Sequence, residues 1–337
     1  MEIITGKIES AQKIIIYGPE GIGKSTFASS FPNPIFIDTE GSTKHMDVAR
    51  TPNPSSWTML LEQIKYFKNN PNQFNTIIID TADWAERMCI EYLCARDKKD
   101  GLEGWGYGRG YTYLTEEFGR LLDLLTELID LGINVVITAH AFMRKFEQPD
   151  ELGAYDRWEL KLQRKTAPMI KEWADMVLFA NYKTHVVNVD GQGVQKGRNK
   201  VQGGKRVMYT THHPCWDAKN RHGLNDELPF DYKEIENHIN TNINEIQITK
   251  EPIEKLEPKT TNLDIPIESV PIALSDLMKF NNVTLEELQK AVESRGYYPV
   301  GTPFKNYDPN FIKGVLIAAW DQVLNIIKEM KGSINNE

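Results

Sequence analysis

The sequence predicts an α/β fold, in which a mostly parallel β-sheet is flanked by helices and followed by a small helical C-terminal domain. Short apolar runs of the kind found in buried parallel strands occur at residues 13–17, 35–38, 76–80 and 134–138. Segments with helical spacing of apolar residues alternate with these runs, at 25–30, 56–67 and 114–131. Strands that alternate with helices favour a doubly wound parallel sheet.

The pattern changes after residue 174. Further strands are predicted at 176–180, 184–189 and 206–211, and the Gly- and Lys-rich stretch 190–205 is predicted to be a hairpin loop. Residues 241–273 hold prolines and alternating charges and predict a linker. Helical spacing then returns, and Thr284 is placed to cap a helix that Glu286 and Glu287 begin. The predicted domains are therefore 1–240, the linker 241–273 and the helical domain 274–337.

Composition limits the functions that are open to the chain. Of its 337 residues, 40% are hydrophobic, which is enough for a sizeable core. The net charge of −8 excludes a generic polyanion binder, so nucleic acid would be contacted only through local basic patches. No apolar run is long enough to span a bilayer, so we expect a cytoplasmic protein that does not bind a membrane.

The cysteines and their neighbours do not predict a metal site. Cys89, Cys94 and Cys215 fit reduced thiols in a cytoplasm better than a disulfide scaffold. His212 and His213 lie close to Cys215, but no matching pair of ligands stands at a usual zinc spacing.

Residues 18–25, with the sequence GPEGIGKS, match the pattern G-x-x-x-x-G-K-[ST] between a predicted strand and a predicted helix. The glycines let backbone N–H groups surround phosphates, and the helix N-terminus adds partial positive charge. Lys24 is expected to reach the β- and γ-phosphates of ATP, and the Ser25 hydroxyl is expected to bind Mg²⁺. The predicted nucleotide-binding residues are Gly18, Pro19, Glu20, Gly21, Ile22, Gly23, Lys24, Ser25 and Thr26.

Asp80 ends the apolar run TIIID. A carboxylate at the C-terminal end of a parallel strand lies at the sheet edge where ligands bind in such folds, and it can hold Mg²⁺ through water. A role in turn formation alone is the alternative.

The segment FIDTEG at residues 36–41 resembles the segment after the second core strand of RecA and its eukaryotic strand-exchange relatives. The opening of the glycine-rich loop, Gly18-Pro19-Glu20, also resembles that of RecA. This resemblance implies a RecA-like P-loop core in which Glu40 activates the attacking water. A helix-capping role for Glu40 is the alternative.

The same resemblance gives expected roles to three further residues. His140 follows the fourth strand, at the position of the γ-phosphate sensor, although that family often has Gln or Asn there. Lys219 and Arg221 resemble the Lys-x-Arg element of DnaB-type helicases, which implies contact with the γ-phosphate of a neighbouring subunit and hence a homo-oligomer. A structural histidine and a solvated basic turn are the alternatives.

Three basic or aromatic stretches could contact single-stranded DNA. The glycine-rich stretch 101–110 carries Trp105, Tyr107 and Arg109, which offer stacking faces and a cation where RecA-like proteins have their first DNA-binding loop. Stretch 144–171 lies where the second loop would be, and its basic and aromatic members are Arg144, Lys145, Arg157, Trp158, Lys161, Arg164 and Lys165. The predicted hairpin loop and its border carry Lys196, Arg198, Lys200, Lys205 and Arg206. For any one of these clusters, a solvated surface is the alternative.

Residues 1–240 as a whole resemble phage-encoded AAA-type nucleotide-binding proteins, including the RecA-like single-strand annealing proteins of the Sak group. The resemblance implies binding of single-stranded DNA that depends on ATP and Mg²⁺, in phage recombination, with a single-strand DNA-binding protein as a candidate partner. The alternatives are a replicative helicase or helicase loader, a nucleotide-switched DNA-binding module with negligible turnover and, less favoured, a small-molecule kinase.

Overall fold

The computed structural model describes residues 3, 5–6, 9–147, 153–188, 199–239 and 270–334. These residues fall into two compact units. Unit 1 contains those within Met1–Asn53, Lys65–Glu86 and Phe118–Ile243, and unit 2 contains those within Pro54–Ile64, Arg87–Glu117 and Asn244–Glu337. The predicted domain boundaries stay predictions, because 240–269 lies outside the described residues.

Unit 1 is built on a β-sheet. Its strands among the described residues are β1 Lys13–Gly18, β2 Pro34–Asp38, β3 Thr76–Asp80, β4 Asn134–Glu147, β5 Ala154–Leu160, β6 Met176–Asn188, β7 Asn199–Tyr209 and β8 Glu227–Pro229. The strand order is β2-β3-β4-β1-β6-β7-β8, and β5 pairs with β4. The strands from β2 to β6 in this order are parallel, whereas β5, β7 and β8 pair antiparallel.

The helices are α1 Lys24–Ala28, α2 Trp57–Asn69, α3 Ala82–Asp97, α4 Arg109–Asp130, α5 Thr166–Trp173, α6 Ile272–Phe280, α7 Leu285–Ser294, α8 Pro309–Phe311 and α9 Trp320–Ile334. A π-helical turn, Ile312–Ile317, follows α8. The predicted fold class, an α/β core with a mostly parallel sheet flanked by helices and with C-terminal helices, is confirmed. None of the helices in the described part of the chain is long and apolar enough to cross a membrane.

The register of the parallel strands aligns their carboxyl ends at one edge of the sheet. Asp38 is paired with Asp80, which in turn is paired with Thr138. On the next pair of strands, Gly18 is paired with His140. Because these strands stop in register, the polar residues that end them meet at the same edge, where ligands bind in such sheets.

Several elements differ from the sequence prediction. The helix α3 was not predicted, because two positions on its first turns carry the acids Asp83 and Glu86 and obscure its apolar face. The two strands predicted at 176–180 and 184–189 form the single strand β6, and β7 begins inside the predicted loop 190–205. The predicted hairpin tip, with Lys196 and Arg198, lies outside the described residues.

Each unit has its own apolar core. In unit 1, Ile14 and Ile16 of β1 pack with Phe27 of α1 and Leu178 of β6. In unit 2 the core of the C-terminal helices includes Leu274, Leu288 and Trp320, and all three are fully buried.

The predicted cap of α7 is confirmed. The Thr284 hydroxyl accepts a hydrogen bond from the backbone N–H of Glu287 at 3.2 Å. The Glu287 carboxylate accepts one from the backbone N–H of Thr284 at 2.9 Å. This reciprocal capping box satisfies N–H groups that the helix itself leaves unpaired.

Candidate active site

The glycine-rich loop connects the end of β1 to the start of α1. Gly21 and Gly23 have φ of 73° and 102°, a backbone conformation that favours glycine, and Gly23 directly precedes α1. Gly18 approaches the neighbouring strand so closely that a Cβ there would lie 2.3 Å from the carbonyl oxygen of Ala180. Ile22 is fully buried and anchors the loop in unit 1. The predicted strand–loop–helix context of residues 18–25 is therefore present.

Lys24, on the first turn of α1, folds back over this loop. Its Nζ donates to the carbonyl oxygens of Gly18 and Pro19, both at 3.1 Å, and the residue is only 6% exposed. Burial lowers the pKa of Lys24, while the charges of Asp80 and Asp83 act in the opposite direction. Phosphate oxygens can replace these neutral carbonyl partners, since a hydrogen bond between an ammonium group and an anionic phosphate has both partners charged.

Oxygen donors gather around Asp80 at the end of β3. Its carboxylate accepts hydrogen bonds from Ser25 at 2.7 Å, from Ser42 at 3.4 Å and from Thr138. Ser25 and Asp80 thus form an all-oxygen pair, which is the donor type that Mg²⁺ prefers. Within the described ranges no group of three or more His, Cys, Asp and Glu side chains could hold a metal ion. Two oxygen donors suit a Mg²⁺ ion, which usually keeps water and phosphate oxygens as its other ligands.

Asp38 shapes the turn that presents Glu40. Its two carboxylate oxygens accept backbone N–H bonds from Gly41 at 2.6 Å, Ser42 at 3.2 Å and Thr43 at 2.9 Å. Burial raises the pKa of Glu40, and the nearby His140 works against that shift. A carboxylate with a raised pKa at a sheet edge is suited to proton transfer near neutral pH.

His140 lies between two carboxylates. Its Nε2 is 3.9 Å from the nearer Glu40 oxygen, and its Nδ1 is 2.9 Å from Asp83 Oδ2. The backbone N–H of His140 also donates to the other Asp83 oxygen at 3.1 Å. The structure thus brings together Lys24, Glu40 and His140 from the predicted catalytic residues, and it adds Asp83, which the sequence interpretation missed.

Tyr182 and Arg206 also contact the glycine-rich loop. They are cross-strand neighbours on β6 and β7. The Tyr182 hydroxyl donates to the carbonyl oxygen of Gly21 and Arg206 Nη1 donates to that of Ile22, both at 3.3 Å. The sequence interpretation placed Arg206 in a DNA-binding cluster. No local motif reveals its contact with Ile22, which lies 184 residues before it in the chain.

Lys219 and Arg221 have partners within their own chain. Lys219 Nζ donates to the carbonyl oxygens of Lys171, Glu172 and Ala174 at 3.2, 3.1 and 2.5 Å, at the C-terminal end of α5. Arg221 forms an ion pair with Asp175 at 2.9 Å and keeps 60% of its side chain exposed. A cation at a helix C-terminus stabilises the helix. The action of both residues on a neighbouring subunit stays a prediction.

The predicted DNA-binding residues of stretch 101–110 lie in unit 2. Trp105 is half-buried, and its indole N–H donates to Asp97 at 3.3 Å. Tyr107 is fully exposed, at 100% of its surface, and Arg109 is an exposed residue at the start of α4. Tyr107 is therefore the accessible stacking face, whereas Trp105 supports its own segment.

The described residues of stretch 144–171, in unit 1, lie largely in the antiparallel strands β4 and β5 and in α5. Arg144 and Lys145 lie on β4, paired with Arg157 and Asp156 of β5, and Arg164 and Lys165 are exposed residues just before α5. A cavity of about 490 Å³ beside β4 and β5 is lined by the basic residues Arg144, Lys145, Arg164 and Lys171 and by the acidic residues Glu147 and Glu159. The backbone of Lys200 belongs to β7, and its side chain lies outside the described residues.

Comparison with known proteins identifies one matching family. A protein family described as AAA domain matches residues 10–222, a range that contains every candidate catalytic residue from Lys24 to Arg221. No curated protein matches the sequence. Among solved structures, a KaiC-like protein from the hyperthermophilic archaeon Pyrococcus horikoshii OT3 is similar at 14% identity, covering 60% of this chain and 87% of that chain, with a TM-score of 0.32.

Proposed function

The chain belongs to the AAA domain family, and from this premise we propose that it hydrolyses ATP and binds single-stranded DNA. The observation that carries the ATPase part is the convergence of Lys24, the Ser25–Asp80 pair and Glu40 at one sheet edge. These residues supply the parts that phosphoryl transfer to water needs: a cation for the phosphates, oxygen ligands for Mg²⁺ and a base for water.

The residues of this chain have separate roles in the proposed reaction. The glycine-rich loop and Lys24 bind the phosphates, and Ser25 and Asp80 would hold Mg²⁺, which would offset negative charge on the phosphate oxygens. Glu40 accepts a proton from water while the water oxygen bonds to the γ-phosphorus. The bond from that phosphorus to the β–γ bridging oxygen breaks, and its electron pair leaves with ADP.

Two surfaces support the proposal of DNA binding. The cavity beside β4 and β5 has four basic side chains against two acidic ones, so it can follow a phosphate backbone. The exposed ring of Tyr107 can stack on a base, an interaction worth about 1–3 kcal/mol. The resemblance to Sak-type proteins supports strand annealing in phage recombination as the output, in a homo-oligomer that works beside a single-strand DNA-binding protein.

The two alternatives, a helicase and a nucleotide-switched binding module, predict different assay results from those of the proposed function. Glu40 favours turnover over a pure switch, because a switch needs no carboxylate beside the γ-phosphate. A helicase separates strands, whereas an annealing protein joins them.

One set of assays on the purified protein tests the proposal. Wild type is expected to hydrolyse ATP with Mg²⁺, faster with oligo-dT, and to anneal complementary oligonucleotides. The variant Lys24→Ala should lose ATP affinity by roughly 10- to 150-fold, because it loses a charged hydrogen bond worth about 1.5–3 kcal/mol. The control Lys233→Ala, an exposed lysine of unit 1, should bind normally.

The outcomes separate the candidate functions. ATP affinity of folded Lys24→Ala within about twofold of wild type would contradict the phosphate-loop assignment. ATP binding without turnover would favour the switch, and displacement of a paired strand would favour the helicase. For DNA, Tyr107→Ala should weaken oligo-dT binding by roughly fivefold or more, on the stacking scale. Unchanged affinity would remove Tyr107 from the DNA-binding surface.

A further inference from the structure

Asp83 contacts His140 twice. The residue lies on the first turn of α3, three positions after Asp80, and its side chain is 9% exposed. One carboxylate oxygen accepts the backbone N–H of His140 at 3.1 Å, and the other lies 2.9 Å from ring atom Nδ1. The two contacts fix both the backbone and the ring of His140, since a ring held at one nitrogen and at its own backbone cannot rotate freely.

The carboxylate of Asp83 sets the position of the ring proton. Burial alone would raise the pKa of Asp83, but the hydrogen bonds that His140 donates outweigh burial and lower it. An ionised carboxylate can only accept hydrogen bonds, so Nδ1 must carry the proton. In the neutral ring, Nε2 then presents a lone pair on the side that faces Glu40.

Glu40 and Nε2 of His140 therefore face each other as two acceptors. Their separation of 3.9 Å is too long for a direct hydrogen bond. A donor shared between them resolves this arrangement, because two hydrogen bonds of about 2.8 Å can meet at a point between atoms this far apart. A water molecule there would donate one proton to each acceptor and keep a lone pair for attack.

We propose that Asp83 is a positioning residue for ATP hydrolysis, which through His140 holds the attacking water against Glu40. The proposal rests on the proposed ATPase function. His140 then acts on the water, and this role differs from the γ-phosphate sensing that the family resemblance implies. The chemistry of the step is unchanged: the proton goes to Glu40 and the electron pair leaves with ADP.

The variant Asp83→Asn tests the role of the carboxylate. An amide can donate to Nδ1, which moves the ring proton to Nε2 and removes the second acceptor for water. We expect kcat to fall about 10- to 100-fold, the scale for losing an outer-shell partner, while ATP affinity stays within about twofold of wild type. The matched control is Glu86→Gln, a buried carboxylate one turn further along α3 that contacts Gln163, and it should keep the wild-type kcat.

A double-mutant cycle separates positioning from a merely structural role. If Asp83 acts through His140, then Asp83→Asn should slow a His140→Gln protein by less than about twofold. Losses that multiply would show that Asp83 acts independently, and would overturn the proposal. An unchanged kcat in Asp83→Asn, in a preparation where wild type hydrolyses ATP, would overturn it as well and leave the ATPase function standing.

The tautomer of His140 gives a readout that does not depend on turnover. In ¹⁵N-histidine-labelled wild type, NMR should show His140 with its proton on Nδ1, and Asp83→Asn should move it to Nε2. A wild-type ring protonated on Nε2 would overturn the proposal even if the variant failed to fold. Absence of hydrolysis in wild type would overturn both this proposal and the proposed function. Loss of activity only in the variants would leave the proposed function standing, so the two failures can be told apart.

Discussion

Glu40 acquires its chemical character from neighbours distant in the chain. Asp38 holds the backbone of the turn on which Glu40 stands, through the N–H groups of Gly41 and Thr43. His140 of β4 lies 3.9 Å from its carboxylate, and Asp83 of α3 contacts the other side of the His140 ring. Burial raises the pKa of this carboxylate and makes it a stronger base than an exposed glutamate.

Replacement of Glu40 by Gln should leave ATP binding intact and reduce kcat by roughly 10²–10⁴-fold, the usual scale for loss of a general base. The base works only when deprotonated, so wild-type kcat should fall as pH falls through the raised pKa, above the ordinary value of 4.5. Measurement of kcat from pH 5 to 9 checks both points, and the exposed Glu236→Gln serves as the control. If Glu40→Gln turned over at the wild-type rate, another group would position the water.

Arg206 supports the phosphate loop from outside. Its guanidinium is so close to Gly23 that an added Cβ there would lie 2.7 Å from Nη1. We expect Arg206→Ala to weaken ATP binding by about 2- to 12-fold, because it removes one hydrogen bond worth about 0.5–1.5 kcal/mol from the Ile22 carbonyl. Titration with a fluorescent ATP analogue measures the change, with Lys205→Ala as the exposed neighbour for comparison. Equal affinities for the two variants would mean that the contact does not support the loop.

At the level of whole elements, Glu86 joins α3 to the start of α5. Both oxygens of its carboxylate accept the backbone N–H of Gln163 at 3.1 Å, and the residue is 5% exposed. Burial raises its pKa from 4.5 to about 7, against the effect of hydrogen bonds from Thr166 and Gln163. The helix α3 thus carries Asp83 towards the nucleotide site and Glu86 towards the segment that contains Arg164 and Lys165.

The raised pKa of Glu86 predicts how stability depends on pH. Between pH 4.5 and about 7 the folded protein binds a proton that the unfolded chain has released, so stability falls as pH rises through this window. The loss is on the order of 3 kcal/mol. Glu86→Gln mimics the protonated form and should flatten this slope and raise the free energy of unfolding at pH 8. Urea unfolding at pH 5, 6, 7 and 8 measures the free energy of unfolding of wild type and of the variant. The same pH dependence in both proteins would contradict the raised pKa of Glu86.

At the level of the whole molecule, Lys219 and Arg221 bear on assembly. Within the described part of its own chain, Lys219 is bound to carbonyls at the end of α5 and not to the glycine-rich loop. If the residues act on a neighbour, a variant that lacks both should bind ATP through its own Lys24 but turn over slowly. Mixed with a variant that lacks Lys24, it should regain part of the ATPase activity. In the mixed oligomer, one interface combines the intact glycine-rich loop of this variant with the intact Lys219 and Arg221 of the variant that lacks Lys24.

The recovered activity should grow with protein concentration as oligomers form, and an ATPase titration of mixtures measures it. Each variant alone, at the same total protein concentration, is the control. No recovery at any ratio, in oligomers shown by pull-down to be mixed, would falsify the action in trans and leave both residues with the helix-capping and ion-pair roles seen within the chain.

The sequence by itself determined the parallel core and the phosphate loop, because both depend on local patterns. Apolar runs of about five residues predict β1 to β3 and the first part of β4, with β3 matching its predicted bounds. The spacing of Gly18, Gly23 and Lys24 predicts the loop. The Thr284 cap was predicted for the same reason, since a capping box is complete within four residues.

Only the tertiary structure decided which side chains complete the site. Asp83 is recognised by its contact with His140, 57 residues further along the chain, and Arg206 by its contact with Ile22, 184 residues before it. Such partners carry no local signal, because strand register and sheet order bring them together across long stretches of chain. For the same reason, Lys219 and Trp105 proved to have partners within the chain that a basic or aromatic pattern alone does not reveal.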